Sequence, residues 1–249
     1  MSSLFIAGYR GHVEVVRLLT GAGADVNQAD NNGWSPLFAA ALNGRMGVVR
    51  LLAEVGADAN QADIQGQSPL FVAALNGNVE LTRLLVEVEA DVNKAAVDGT
   101  SPLKAAASFG HMEVVRLLVE AGADLNQTAN NGASPLICAA LEGHLGIVRV
   151  LVGAGADFDQ ADDIGWTALT YAIHFNCKEA ALLLLAHGAQ LGPFNLLEIR
   201  AQQQATLLTW QKGRICHQVA LIGQLTKTND ELVAGIPVWC GCAAAEAAG

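Results

Sequence analysis

Histidine and cysteine are residues of this chain whose side chains could act as bases, nucleophiles or metal ligands. The five cysteines include one close pair, Cys240 and Cys242, and the six histidines include His12, His111 and His144, which are separated by multiples of 33 residues. An enzyme needs a nucleophile, a base or a metal cluster that converges on a pocket. Regularly spaced histidines are spread along the chain instead, and the sequence has no phosphate-binding glycine loop, nucleophile elbow or HExxH helix. We therefore expect a protein that is not an enzyme and that has no cofactor.

The cysteines indicate a reducing compartment. Their number is odd, Cys138 lies in an alanine-rich apolar segment, and the start of the chain lacks the basic pattern of a secretory signal. Cys240 and Cys242 have no second pair or histidine beside them, so a solvated tail is favoured there over a metal site. We expect reduced thiols, no metal site, and a cytoplasmic or nuclear location.

Composition excludes two classes of partner. The net charge is -10, which disfavours binding to nucleic acid phosphates. The chain has no uncharged apolar run of about 18 or more residues, so we expect no membrane span. A protein partner remains, with the chain itself a monomer. Five recurring aspartates would favour a basic or polar partner surface, unless each only ties down its own turn by hydrogen bonds: Asp25, Asp58, Asp91, Asp124 and Asp157.

The chain repeats a unit of 33 residues, and a fixed period of this length is typical of an array. In the copy that starts at Gly99, Ser101 can cap a first helix through its hydroxyl, and Pro102 fits the first helical position. Gly110 ends that helix, and a second helix begins near His111 with apolar residues at helical spacing. Each unit is thus predicted to be two short helices followed by an outward turn.

Two helices and a protruding turn in this period resemble the ankyrin repeat family. The resemblance covers roughly residues 1–192, and it implies an all-α solenoid of about six helix-turn-helix units. We place the units at about residues 1–32, 33–65, 66–98, 99–131, 132–164 and 165–192. Residues 193–249 lose the period, and we expect a C-terminal tail that is helical or partly disordered.

The resemblance also implies structural roles. His12, His111 and His144 occupy the slot in which the family uses a histidine to join neighbouring units. The family's usual histidine after Pro-Leu is replaced, which suggests turns held more by packing; the replacing residues are Phe38, Phe71, Lys104, Ile137 and Thr170. Glu89 stands where other copies have glycine at a position of positive φ, so we expect a local weakness of about 1 kcal/mol.

A repeated asparagine allows two readings. In the family this residue buttresses the turn, and it also resembles the position hydroxylated by an asparaginyl oxygenase. Asn27 and Asn93 fit the second reading best, because each follows Asp-Val and has a leucine eight residues earlier. Buttressing is the favoured explanation, and it applies also to Asn60 and Asn126.

In the family, partners are gripped by the turn tips and the inner side of the first helices. Carried over, the predicted protein-binding residues are Asn31, Asn32, Trp34, Leu42, Asn43, Ile64, Gln65, Gln67, Leu75, Asn76, Val97, Asp98, Thr100, Ser108, Phe109, Asn130, Asn131, Ala133, Leu141, Glu142, Asp163, Ile164 and Trp166. Trp34, Phe109 and Trp166 are the expected anchors, since exposed aromatics often dominate interfaces. Each tryptophan could equally pack against its own turn.

The expected function is therefore a non-enzymatic interaction module that binds proteins through its concave face and turn tips. The alternative is an adaptor that delivers a bound protein to a ubiquitin ligase or another modifying complex through the tail. Segments around Cys216 and residues 236–238 bear only a loose likeness to boxes that recruit ligase subunits.

Overall fold

The computed structural model describes residues 2–190, and in this range it forms six helix-turn-helix units. The predicted tail of residues 193–249, its cysteine pair and the array boundary at residue 192 lie outside the described residues. The all-α repeat architecture predicted from the sequence is confirmed. The helices are α1 Ser3–Arg10, α2 Val13–Gly21, α3 Pro36–Leu42, α4 Met46–Glu54, α5 Pro69–Leu75, α6 Val79–Glu87, α7 Pro102–Ser108, α8 Met112–Glu120, α9 Pro135–Leu141, α10 Leu145–Gly153, α11 Ala168–His174 and α12 Lys178–Ala186.

The first helices begin where side-chain caps replace missing helical hydrogen bonds. Ser101 Oγ accepts a hydrogen bond from Lys104 N at 3.2 Å, and Pro102 occupies the first helical position. The same cap is formed in the other units by Ser2, Ser35, Ser68, Ser134 and Thr167. The predicted capping role of Ser101 is confirmed, and it fixes where each first helix starts.

The helices pack in two layers with one apolar core between them. Each first helix contacts the first helix of the next unit, and α6, α8, α10 and α12 form a matching row of second helices. Ala106 and Ala107 are fully buried, which lets neighbouring first helices approach closely. Val115 and Leu118 fill the core from the second helix and are also fully buried. Because each unit covers the next, no single unit has a complete core of its own.

The repeated asparagine joins each of the first four units to the following one, and at the fifth Asp159 takes its place, with Oδ1 accepting from Gln190 N at 2.8 Å. Asn93 Oδ1 accepts from Asp124 N at 2.8 Å, while Asp124 Oδ1 accepts from Asn126 N at 2.9 Å within its own turn. Equivalent bonds connect Asn27 to Asp58, Asn60 to Asp91 and Asn126 to Asp157. Buttressing by asparagine and turn fixation by aspartate are thus confirmed, whereas hydroxylation of Asn27 or Asn93 stays a prediction from the resemblance.

A glutamine adds a second link that the sequence reading missed. Gln127 Nε2 donates to the backbone oxygen of Asn93 at 3.1 Å, and Gln61 and Gln160 make the same bond to Asn27 and Asn126. Gln61 and Gln127 directly follow the repeated asparagine and Gln160 follows Asp159, so the spacing was visible in the sequence, although Lys94 interrupts the series. At these three junctions adjacent turns are therefore held by both a side-chain acceptor and a side-chain donor.

The apolar residues at the first unit divide into two groups. Leu4 and Phe5 are buried in the core, whereas Ile6, Val15 and Leu18 are exposed. The positions of Val15 and Leu18 in the next unit are Val48 and Leu51, which are buried. Within the first unit, only the second group therefore forms an open apolar surface.

Replacing Glu89 with glycine is expected to stabilise the protein by about 1 kcal/mol, because glycine adopts positive φ without steric cost. Glu89 has a φ of 61°, as predicted from the glycines at equivalent positions. Urea unfolding followed by circular dichroism measures the change. Glu89→Ala is the matched control, since it removes the charge but keeps Cβ. Equal stabilisation by both variants would show that charge, not backbone conformation, is responsible.

Candidate protein-binding surface

The turn tips that precede the first helices are fixed by aspartate side chains. Asp63 Oδ1 accepts from Gln65 N and Gln67 N, both at 2.9 Å, and the backbone closes the hairpin from Asp63 N to Gln67 O at 3.0 Å. Asp30 and Asp162 hold their tips in the same way. The expectation that packing chiefly holds these turns is therefore wrong for three tips, because a local carboxylate satisfies the turn amides.

Two tips lack this aspartate, since Ala96 and Ala129 occupy its position. Asp98 Oδ1 accepts from Thr100 N at 2.9 Å in the first of them, and Asn131 Oδ1 accepts from Ala133 N at 3.2 Å in the second. A polar side chain two residues later thus replaces the missing acceptor. All five tips are ordered by short-range hydrogen bonds.

Backbone hydrogen bonds also join neighbouring tips into one row. Ile64 N donates to Asn32 O at 3.0 Å, Val97 N to Gln65 O at 2.8 Å, and Asn130 N to Asp98 O at 2.8 Å. Asp163 N continues the row to Asn131 O at 3.2 Å. The backbones of neighbouring tips are consequently held at fixed positions relative to one another.

The predicted contact residues lie on the surface with one exception. Thirteen are exposed, namely Asn31, Asn32, Ile64, Gln65, Asn76, Val97, Asp98, Phe109, Asn130, Asn131, Glu142, Asp163 and Ile164. Nine are half-buried, namely Trp34, Leu42, Asn43, Gln67, Leu75, Thr100, Ser108, Leu141 and Trp166. Ala133 is only 7% exposed and belongs to the core, so its side chain is buried where the register predicts a contact residue.

The two tryptophans pack against their own units. Trp34 lies 5.7 Å from Phe38 between ring centroids and borders a small apolar cluster built on Phe38 and Phe71. Trp166 contacts Tyr171 and His174, each at 4.9 Å between centroids. Both rings are half-buried and pack against aromatic rings of their own units, so they do not protrude from the turn tips.

Phe109 is the predicted anchor that does protrude. Its side chain is 63% exposed at the end of α7, where it stacks on His111 with ring centroids 6.4 Å apart. Phe175 occupies the equivalent position two units later and is also exposed, although the sequence reading omitted it. A shift of 66 residues from Phe109 would have found it.

Tips and first helices form a groove across three units. Its volume is about 460 Å³, and its lining residues are Ile64, Gln65, Gln67, Phe71, Ala96, Val97, Asp98 and Asn130. Phe71 is buried beneath it, while the side chains of Ile64 and Val97 are 68% and 71% exposed. Exposed apolar side chains over an ordered polar frame are typical of surfaces that bind other molecules.

Acidic residues outnumber basic residues in the part of the chain that the structure describes. Residues 2–190 contain 20 Asp and Glu but 10 Lys and Arg. In the groove, the hydrogen bond from Thr100 N lowers the pKa of Asp98, with further lowering by the Thr100 hydroxyl and Lys104. Burial raises the pKa of Tyr171, as does its 2.7 Å hydrogen bond to Asp162. Asp98 is thus a carboxylate at neutral pH and Tyr171 a neutral phenol.

The histidines link units as the resemblance implies. His111 Nε2 lies 3.0 Å from Leu75 O, and His144 Nε2 lies 3.3 Å from Ser108 O of the preceding unit. Arg45 fills the same slot and donates through Nε to Tyr9 O at 3.4 Å. The structural role of His111 and His144 is confirmed. Among residues 2–190, no group of three His, Cys, Asp or Glu side chains is placed to hold a metal ion.

No helix in the described part of the chain is both long enough and apolar enough to cross a membrane. A comparison with curated proteins finds no match. A family model of ankyrin repeats matches three stretches of the chain, at residues 1–63, 55–129 and 122–195. Together these matches span residues 1–195, well over half of the sequence, and they include all six helix-turn-helix units. The chain therefore belongs to the ankyrin repeat family.

Proposed function

We propose that this protein is a non-enzymatic interaction module that binds a partner protein through its turn tips and first helices. Ankyrin repeats are in general protein-protein interaction modules. The observation that carries the proposal is the exposure of large apolar side chains on a hydrogen-bonded frame, with Ile64, Val97 and Phe109 all more than half exposed.

Rigidity explains how such a surface binds without chemistry. Backbone hydrogen bonds join neighbouring tips. Side-chain oxygens such as Asn93 Oδ1 also accept a hydrogen bond from the backbone of the following unit. Little conformational entropy is lost when a surface of this kind meets a partner, so more of the contact energy appears as affinity. Anchors such as Phe109 then contribute most, because water is excluded around them.

The adaptor function is not favoured by any residue that the structure describes. It depends on docking residues in the segment 193–249, which lies outside the described range. Deletion of that segment separates the two functions, since an adaptor would keep its bound client and lose the ligase.

Replacing Phe109 with serine is expected to reduce partner recovery at least about tenfold, which corresponds to loss of one interface anchor. Full-length wild-type and variant chains are immobilised, and proteins captured from native extract are quantified by mass spectrometry. Leu182→Ser is the matched control, because Leu182 is 67% exposed on a second helix outside the proposed surface. Circular dichroism verifies folding of both variants. Recovery of the same proteins in equal amounts by wild type and Phe109→Ser would reject the surface.

A further inference from the structure

The groove across the tips combines apolar side chains with one carboxylate, a combination that suits one kind of peptide. It lies between Ile64 and Val97, with the aromatic ring of Phe71 below and the Asp98 carboxylate at its edge. Its volume of about 460 Å³ is in the range of pockets that hold ligands, roughly 300–1,000 Å³. Its outer apolar surface is formed by two different units, so only the stacked array creates it.

Hydrogen-bonding groups along the groove suit an extended backbone. Gln65 Oε1 accepts from Gln67 Nε2 at 3.1 Å, and Asn130 Nδ2 donates to Val97 O at 3.2 Å. Neither the side-chain Nε2 of Gln65 nor Asn130 Oδ1 forms a hydrogen bond with any other residue in the range 2–190. One donor and one acceptor are thus available, which is what a peptide group of a bound strand requires.

Charge selects the side chains of the ligand. Asp98 is the one ionisable residue among those that line the groove, and no Lys or Arg in the described range forms an ion pair with it. Lys104 Nζ lies instead 3.3 Å from the Thr100 hydroxyl, outside the lining. Both Asp98 oxygens already accept a bond from Thr100, yet each carboxylate oxygen has a second lone pair for a cation. A lysine or arginine of the ligand would complete this site.

We propose that the groove binds an extended segment of the partner in which an aliphatic side chain lies next to a lysine or arginine. The aliphatic group contacts Ile64, Val97 and Phe71, and the cation pairs with Asp98. This inference rests on the proposed interaction function and specifies the ligand of one part of its surface.

Selection from a phage-displayed library of random dodecapeptides on the full-length chain tests the proposal. We expect enriched peptides to carry an aliphatic residue within two positions of Lys or Arg. The most enriched peptide, synthesised with a fluorescent label, is then titrated with the protein, and its dissociation constant is measured by anisotropy. Enrichment of acidic peptides, or no enrichment over an empty support, would overturn the proposal.

Two conservative variants locate the site. Val97→Thr keeps the backbone bond and side-chain shape, and Asp98→Asn keeps an oxygen to accept from Thr100 N. Each is expected to weaken the peptide about tenfold, and Asp98→Asn should also flatten the salt dependence. Leu182→Thr and Glu80→Gln are the matched controls, since both residues are exposed on second helices outside the proposed surface.

Equal affinity of the wild type and Val97→Thr would overturn the groove as the site. The interaction function would still stand if partner recovery remained sensitive to Phe109→Ser. Loss of that sensitivity, with peptide binding that still depends on Val97 and Asp98, would reject Phe109 as an anchor and leave the groove intact.

Discussion

Replacing Leu118 with alanine is expected to destabilise the protein by about 2–5 kcal/mol, the range observed for cavities left by buried leucines. Leu118 is fully buried in α8, in the fourth of the six units. In a repeat array the total stability is approximately the sum of unit stabilities and interfaces between neighbours. A defect in the fourth unit also weakens the coupling between the units before it and the units after it. We therefore expect a lower urea concentration at the midpoint and a broader unfolding transition.

Urea unfolding monitored by far-UV circular dichroism provides the measurement. Leu182→Ala is the control, because the same atoms are removed from a side chain that is 67% exposed on a second helix. A change within about 0.5 kcal/mol is expected there. Comparable losses in both variants would contradict the assignment of Leu118 to the core.

Replacing Gly99 with alanine is expected to cost about 2–5 kcal/mol, from a left-handed residue and an overpacked contact together. Gly99 has a φ of +79°, and a Cβ atom added there would lie 2.9 Å from Asn130 N and 3.0 Å from Ala129 Cα. These are backbone atoms of the next tip, which cannot move without breaking the bond from Asn130 N to Asp98 O.

Gly122→Ala separates the two causes. Its φ is +82°, but no heavy atom of the described residues lies within 4 Å of the added Cβ beyond its chain neighbours. We expect a loss of about 1–2 kcal/mol, from the left-handed conformation alone. Amide hydrogen exchange should show faster exchange at Asn130 in Gly99→Ala but not in Gly122→Ala. The same loss of stability in both would mean that contact between tips contributes little.

The secondary structure and the links within turns could be predicted from the sequence. Ser101 and Pro102 fix the start of a helix through atoms no more than three residues away, and Asp124 bonds to Asn126 in its own turn. Such interactions depend on local sequence, so they repeat whenever the 33-residue unit repeats. The deviation at Glu89 was predictable for the same reason, because the other copies give the required backbone conformation.

The candidate surface was only partly predictable. Ala133 follows the register of a contact residue but is buried, and Trp34 and Trp166 pack on rings of their own units. The position of a residue within the repeat gives the direction of its Cα–Cβ bond. The exposure of its side chain depends also on the size of neighbouring side chains. The aspartates that hold three tips were missed because Ala96 and Ala129 break their series, so the period alone did not mark them.

By itself, the sequence determined the period, the two helices of each unit and the outward turn, because helix caps, glycines and apolar spacing act over a few residues. The tertiary structure alone decided which of the equivalent side chains protrude and where three tips enclose a groove. It also decided that a Cβ on Gly146 would collide with the Met112 methyl of the preceding unit. These features arise from atoms about 33 residues apart in sequence, which become neighbours only when the units stack.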